Sequence, residues 1–275
     1  MLVIGVAFWV VSIFGSIAPL VLLLFSSWTV PICVIAAMLF LTTVPRYVIR
    51  PVPPLISARR RGVGSTERCL VTLVHPHGVI CQNLIVMISS LPPGTACGAF
   101  PLLWIPTALF SQFGWRVASA TRRSVEAQIS AKRDVYMYPG GFREAARHSY
   151  DRDVVDVGSR GMIKLALVHG CGVRVAFAFG ERKTAYNLQG FWNVRTWLAK
   201  RGIPAVVPFL FLWGAVPRIA LSSVIQFPRI TAPSAEDVER WHAEYVAELR
   251  LLHAEFRAED DELVVIDGAT ERNKV

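Results

Sequence analysis

The chain has 275 residues, a formal net charge of +9 and a hydrophobic fraction of 53%, enough for one sizeable domain with an appendage. The positive excess calls for an anionic partner; the apolar start and the lack of any nucleic-acid-binding motif argue against nucleic acid. Five scattered cysteines (Cys33, Cys69, Cys81, Cys97 and Cys171) argue against a disulfide framework or a thiolate zinc site, and fit a reducing, cytosol-facing setting.

From Met1 to Pro45 there is no Asp, Glu, Lys, Arg or His. One straight transmembrane helix needs about 20 apolar residues, so this stretch suits two. Ser26, Ser27, Thr29 and Pro31 interrupt it, and residues 2–25 and 31–44 are predicted to form a transmembrane helical hairpin. A signal peptide fits less well, because a basic n-region is missing and the apolar run is too long. A buried core hairpin is the other alternative. Arg46, Arg50, Arg59, Arg60 and Arg61 follow, which places this flank in the cytosol and within reach of anionic headgroups. Pro51, Pro53 and Pro54 make residues 46–68 an extended linker.

The domain is expected over residues 69–258. Its first strand, residues 69–74, runs into His75-Pro76-His77-Gly78. Pro76 removes a backbone donor and Gly78 permits positive φ, so the ladder should stop there and present two imidazoles. A helix is expected over 79–90 and another over 99–113. A short strand follows Gly114, and a basic helix is expected over 124–131. Residues 134–138 form a second strand that also ends abruptly, in Pro139-Gly140-Gly141-Phe142-Arg143-Glu144. Gly140 and Gly141 could turn backbone N–H groups toward an anion, and Glu144 could partner an imidazole.

Gly158-Ser159-Arg160-Gly161-Met162 is expected to begin a helix that runs through Lys164, Leu165 and Ala166 and ends at His169-Gly170, where Gly170 and Gly172 suit a C-cap. Residues 173–179 then make a buried strand that ends at Gly180-Glu181. This alternation predicts an α/β domain, a mostly parallel central sheet flanked by helices. Residues 192–221 are rich in apolar residues, Trp and Pro. They could line an acyl pocket, touch a bilayer or be plain core. A last strand is expected at 224–228. Ser234 and Asp237 frame a capping box, and Val238, Trp241, Tyr245, Leu249, Leu252 and Phe256 recur at helical spacing as core. His242 and His253 read as structural. The acidic tail, 259–275, is expected to fray.

An imidazole near its ordinary pKa of about 6.5 can serve as general base at neutral pH, and a carboxylate can orient it. There is no GxSxG, so a serine nucleophile elbow is unsupported. The chemistry this suggests is direct attack of a bound alcohol on an activated acyl group, with His77 removing the hydroxyl proton. A metal-dependent hydrolase opening on HxH is an alternative, with His148 and His169 as spare ligands. A lipid-binding protein without catalysis is another, though it leaves both histidines unexplained.

These motifs resemble the type-2 diacylglycerol acyltransferase family of the glycerolipid acyltransferase superfamily. The chain has its HPHG (His75 to Gly78) and its PGG with a following acid (Pro139, Gly140, Gly141, Glu144). Arg160-Gly161-Met162-Ile163-Lys164-Leu165-Ala166 is similar to its RKGFVKLA-type helix. Phe179-Gly180-Glu181 with Tyr186 is similar to its FGE block. Residues 233–245 resemble its C-terminal helix.

The resemblance implies acyl transfer from acyl-CoA, as co-substrate and without a metal or other cofactor, to diacylglycerol. Monoacylglycerol, a fatty alcohol or phytol are alternative acceptors. It implies membrane lipids as partners, the endoplasmic reticulum membrane or a lipid droplet as location, and a catalytic domain facing the cytosol. Among residues, it implies His77 as base with Glu144 as partner, and His75 in support. It makes Gly78, Pro139, Gly140, Gly141, Arg143, Arg160, Lys164 and Glu181 candidates for binding substrate. Gln82 stands where the superfamily's His-x4-Asp has Asp, which is why Glu144 is assigned as partner. Residues 138–144 also resemble the superfamily's F-P-E-G-T-R segment, whose Arg meets a phosphate.

Overall fold

The structure is a computed structural model that describes residues 57–58, 69–79, 81, 83–98, 110–111, 113–203, 205–206, 208–211, 217–258 and 261–267. The hairpin expected over 1–45, most of the linker and most of the helix expected over 99–113 lie outside these residues. Among the described residues no helix is long and apolar enough to cross a membrane.

The strands, in chain order, are β1 (Ser57–Ala58), β2 (Leu70–His75), β3 (Thr95–Gly98), β4 (Arg116–Ser119), β5 (Val135–Met137), β6 (Asp153–Asp156), β7 (Gly172–Phe179), β8 (Ala185–Asn187), β9 (Pro208–Phe211), β10 (Arg218–Leu221), β11 (Ile225–Gln226) and β12 (Leu263–Ile266). The helices are α1 (Asn83–Ser90), α2 (Arg122–Ser130), α3 (Gly141–Ala146), α4 (Gly161–His169), α5 (Trp192–Ala199) and α6 (Ala235–Phe256). The main sheet has eight strands in the order β1-β10-β7-β2-β5-β3-β4, with β11 added to β7. Its centre is parallel, and β10 and β11 run antiparallel to β7. The expected α/β fold with a mostly parallel sheet is therefore present.

Strand alternation sorts the core into two layers. Val71 and Leu73 of β2 and Val173, Val175, Phe177 and Phe179 of β7 face a layer built with α2, α4 and α6. Val74, Ala176 and Ala178 face the other way, against α1. The large side chains of β7 thus fill one side and its alanines let α1 approach the other. Cys69 and Cys171 open β2 and β7, and their buried thiols meet at 2.7 Å.

Three features differ from the sequence reading. Helix α1 starts at Asn83 rather than at residue 79, because Gly78 (φ +69°) and Cys81 (φ +51°) first carry the chain around a turn. Ser57 and Ala58, within the stretch taken as linker, pair with β10. Residues 263–266 of the tail do not fray but form β12, parallel to β6. The run Leu263-Val264-Val265-Ile266 has strand composition, and flanking acids disguise it. Helix α6 begins with the expected capping box, Ser234 accepting from Asp237 N–H and Asp237 from Ser234 N–H.

Helix α6 supplies a sharp internal control. Leu249 is fully buried, whereas Leu251 is 65% exposed. Leu249→Ala is expected to lower unfolding stability by about 2–5 kcal/mol, and Leu251→Ala by less than about 0.5 kcal/mol. Denaturant midpoints of the two variants check this.

Candidate active site

β2 and β5 are adjacent and parallel, with Leu73 opposite Met137. Their ends therefore emerge side by side, and His75-Pro76-His77-Gly78 meets Pro139-Gly140-Gly141. β7 flanks β2 on its other side and brings Gly180 and Glu181 to the same edge. The three strand ends picked out in the sequence form one site. The His75–Pro76 peptide is cis.

His75 is the last residue of β2 and shares the inward face of Val71 and Leu73. It is fully buried. Its Nδ1 lies 2.8 Å from Glu144 Oε2, and its Nε2 lies 2.5 Å from the Tyr245 hydroxyl on α6. In the tautomer that satisfies every group, Nδ1–H donates to Glu144 and Nε2 accepts from Tyr245. Burial, with Glu144 and Asp156 nearby, pushes the Tyr245 phenol well above its ordinary value, so it remains a neutral donor. Both nitrogens of His75 are thus occupied.

Glu144 is buried too. Besides the His75 ring, its carboxylate accepts from the backbone N–H of His77 and, at 2.9 Å, from that of Asp156. Here the structure corrects the expected pairing: the imidazole partner of Glu144 is His75, and it holds His77 by the main chain. Strand phase is the reason. His75 points inward toward Glu144 and α6, whereas His77 lies past the end of the ladder.

His77 is half-buried beside Tyr138 and Phe142, with ring centroids 5.1 and 6.2 Å away. Its Nδ1 is 2.9 Å from the Gly78 carbonyl. A carbonyl can only accept, so Nδ1 carries the proton and Nε2 has the lone pair. Burial holds this imidazole below its ordinary value, opposed by the Gly78 carbonyl and the Glu144 charge. Cys81 Sγ approaches to 3.3 Å from Nδ1 and 3.5 Å from Nε2. Burial, then Glu181 and Glu144, raise the Cys81 thiol well above its usual range. It is a neutral thiol rather than a thiolate.

The turn is braced from behind. Asn83 donates from Nδ2 to the Pro76 carbonyl at 2.8 Å and accepts from the Tyr138 hydroxyl at 2.5 Å. Glu181, fully buried, accepts the Asn83 N–H at 2.9 Å and so caps α1 from another element. Gly78 packs against it: a Cβ there would stand 2.0 Å from Glu181 Oε1.

Other candidates have different tasks from those expected. A Cβ on Gly140 would lie 2.2 Å from Glu144 Oε2, so this glycine makes room for the carboxylate. Gly141 supplies a positive φ of +49°, and its N–H bonds the Tyr138 carbonyl rather than an open nest. Pro139 lies half-buried in the turn between them and β5. Arg143 is not a free phosphate ligand. It binds the buried Asp156 at 2.8 Å, and Arg147 shares that carboxylate at 3.4 Å. A buried Asp requires such a cation.

Arg160 clamps Glu239 of α6 at 2.9 Å and Asp267 beyond β12 at 2.6 Å. Lys164 is exposed on α4, lining a cleft with Arg122 and Ser159. His148 bonds the Ala185 carbonyl and His169 faces Glu126, so neither joins the two motif histidines. No group of three or more His, Cys, Asp or Glu among the described residues could hold a metal ion. His242 and His253 bond Val157 and Asp153 within the domain. Tyr245, Asn83, Tyr138, Cys81 and Asp156 are the site residues that the sequence reading missed. Tyr245 alone carried a signal, a phenol in an otherwise apolar stripe that needs a partner when buried.

Comparison with known proteins gives a consistent set of relatives. The chain is 26% identical over 216 residues to diacylglycerol O-acyltransferase 2 of Xenopus tropicalis, covering 66% of this chain and 59% of that protein. It is 24% identical over 225 residues to 2-acylglycerol O-acyltransferase 3 of Homo sapiens, covering 70% and 65%. It is 23% identical over 239 residues to acyl-CoA wax alcohol acyltransferase 2 of Mus musculus, covering 74% and 71%. The chain thus spans under two thirds of the length of the Xenopus relatives. No protein-family model and no solved structure matches it. The relatives come from three kinds of lipid acyltransferase and the ordered motifs meet at one sheet edge, so the chain is similar to the type-2 diacylglycerol acyltransferase family.

Proposed function

We propose that this protein is an acyl-CoA-dependent O-acyltransferase and that His77 is its general base. The observation that carries this is the fixed tautomer of His77. Its Nδ1–H is held by the Gly78 carbonyl, leaving the Nε2 lone pair for a substrate proton. His75 is a positioning residue, because both of its nitrogens are bonded within the protein. Glu144 acts through His75 and the main chain of His77, without contact with substrate.

In the proposed reaction the hydroxyl oxygen of the acceptor attacks the thioester carbonyl carbon while His77 Nε2 takes the hydroxyl proton. The tetrahedral intermediate collapses, the C–S bond breaks, and the proton passes from His77 to the departing CoA thiolate. The products are an ester and free CoA. Diacylglycerol is the acceptor proposed first, with monoacylglycerol, a fatty alcohol or phytol as alternatives. The charge-free stretch 1–45 supports a membrane location, proposed as the endoplasmic reticulum or a lipid droplet, with this domain on the cytosolic side.

Three outcomes test the reading. In membranes of a host lacking neutral lipids, His77→Ala should lower labelled ester synthesis roughly a hundred- to ten-thousand-fold at unchanged protein level. The ester made by the unaltered chain identifies the acceptor. Retained activity would sink the base assignment.

The second outcome concerns a covalent route. A raised thiol makes Cys81 a poor nucleophile, so Cys81→Ala should keep activity within about tenfold. Complete loss in a folded variant would point instead to an acyl-cysteine intermediate.

The third is the pH profile. The base works deprotonated, and His77 titrates below its ordinary value of about 6.5. The acid limb of kcat/KM is therefore expected below pH ~6.5, with activity rising through it and then level. An acid limb above that value would contradict the assignment.

A further inference from the structure

We infer that helix α5 and its flanking loops form a docking face for an anionic lipid surface, separate from the N-terminal apolar segment. Six large apolar residues are exposed among the described residues, and five of them, Leu188, Phe191, Val194, Trp197 and Ile203, fall within this one short stretch. Phe191 is 80% exposed, Val194 56% and Trp197 52%. Val194 and Trp197 lie one turn apart on the helix, and Phe191 stands at its N-cap. Scattered exposed apolar residues are ordinary, but a contiguous patch marks an interaction site.

Charge selects the occupant. From Arg182 to Ala235 the chain contains no Asp or Glu, while Lys200 and Arg201 stand exposed at the end of α5. The Arg201 guanidinium lies 3.7 Å from the centroid of the Trp197 ring. An aromatic and aliphatic face beside exposed Lys and Arg is the composition of helices that lie in a membrane interface, with Trp at headgroup level and long cations reaching the phosphates.

The face is also held in shape. Arg195 of α5 is buried and donates to the Leu188 carbonyl at 2.5 Å and to the Ala205 carbonyl at 2.8 Å. It pins the loops before and after the helix. Helix α5 packs on α3, the helix that carries Glu144, and Arg147 reaches Thr196 at 3.5 Å. The docking face is therefore one helix removed from the His75–Glu144 pair, so a bilayer seated on it would lie close to that centre.

The test uses the full chain reconstituted in vesicles of phosphatidylcholine and phosphatidylserine. The emission of Trp197 is isolated as the difference between the unaltered chain and Trp197→Phe. Phosphatidylcholine brominated in its upper acyl chain should quench this emission, and aqueous iodide should not. Quenching by iodide instead would overturn the proposal. So would quenching by neither, which would mean that protein, such as a second copy, covers the face. This measurement involves no turnover, so it stands or falls independently of acyl transfer.

A second measurement uses the Phe191→Glu/Trp197→Glu double variant. Its KM for acceptor embedded in vesicles should rise about tenfold, with the rate on a short-chain soluble acceptor unchanged. An unchanged KM in vesicles would count against the proposal. The soluble-acceptor rate and the unfolding midpoint report whether the variant is folded.

Discussion

A carboxylate removed from water must be met by donors, and the position of Glu144 obliges three parts of the chain to converge. The His75 ring comes from β2, the His77 N–H from the turn after it, and the Asp156 N–H from the end of β6. None of these groups can drift without leaving a buried charge short of a bond. Losing one such partner typically costs about 1–3 kcal/mol or more. The geometry of the His75–Gly78 turn is in this sense a by-product of satisfying one buried anion.

The network extends further in two directions. Through His75 it reaches Tyr245, which ties the 22-residue helix α6 to the end of β2. Through Asp156 it reaches Arg143 and Arg147, so a second buried carboxylate with its own cations stands behind the first. Glu181 does the same work on the far side, capping α1 and filling the space that Gly78 leaves open. Three acids therefore surround a turn whose solvent-facing member is His77. Burial keeps that imidazole neutral, and the Gly78 carbonyl selects its tautomer.

Much of this was legible in the sequence. β2, β5 and β7 could be read because each is an apolar or β-branched run cut short by Pro or Gly, and parallel neighbours must end on the same edge. The partner of Glu144 was misjudged because the motif was taken as a unit. The two-residue strand period already places His75 in phase with Val71 and Leu73, and hence inside. Strands β6 and β12 stayed hidden because Asp153, Asp156 and the acids around 259–262 look like solvated loop. The burial of Asp153 is met by His253 and Arg182, both distant in the chain, and that of Asp156 by Arg143. Asn83 and Tyr138 could not have been paired from sequence, since their bond depends on the turn formed by Gly78 and Cys81. The α5 segment was read as pocket, bilayer contact or core together. Only the exposure of its side chains separates these.

The pairing of β12 with β6 places the end of the described chain in an unusual relation to the centre. β6 ends in Asp156, whose N–H bonds Glu144, and along its length it pairs with residues 263–266. The ladder is a two-stranded ribbon outside the main sheet, and such a ribbon has little stability of its own. Clipping the chain after α6, or inserting a bulky segment close behind Ile266, would therefore disturb the bonds of Glu144 from a point more than a hundred residues away in sequence. Strand β12 is in this way a remote support of the Glu144 network.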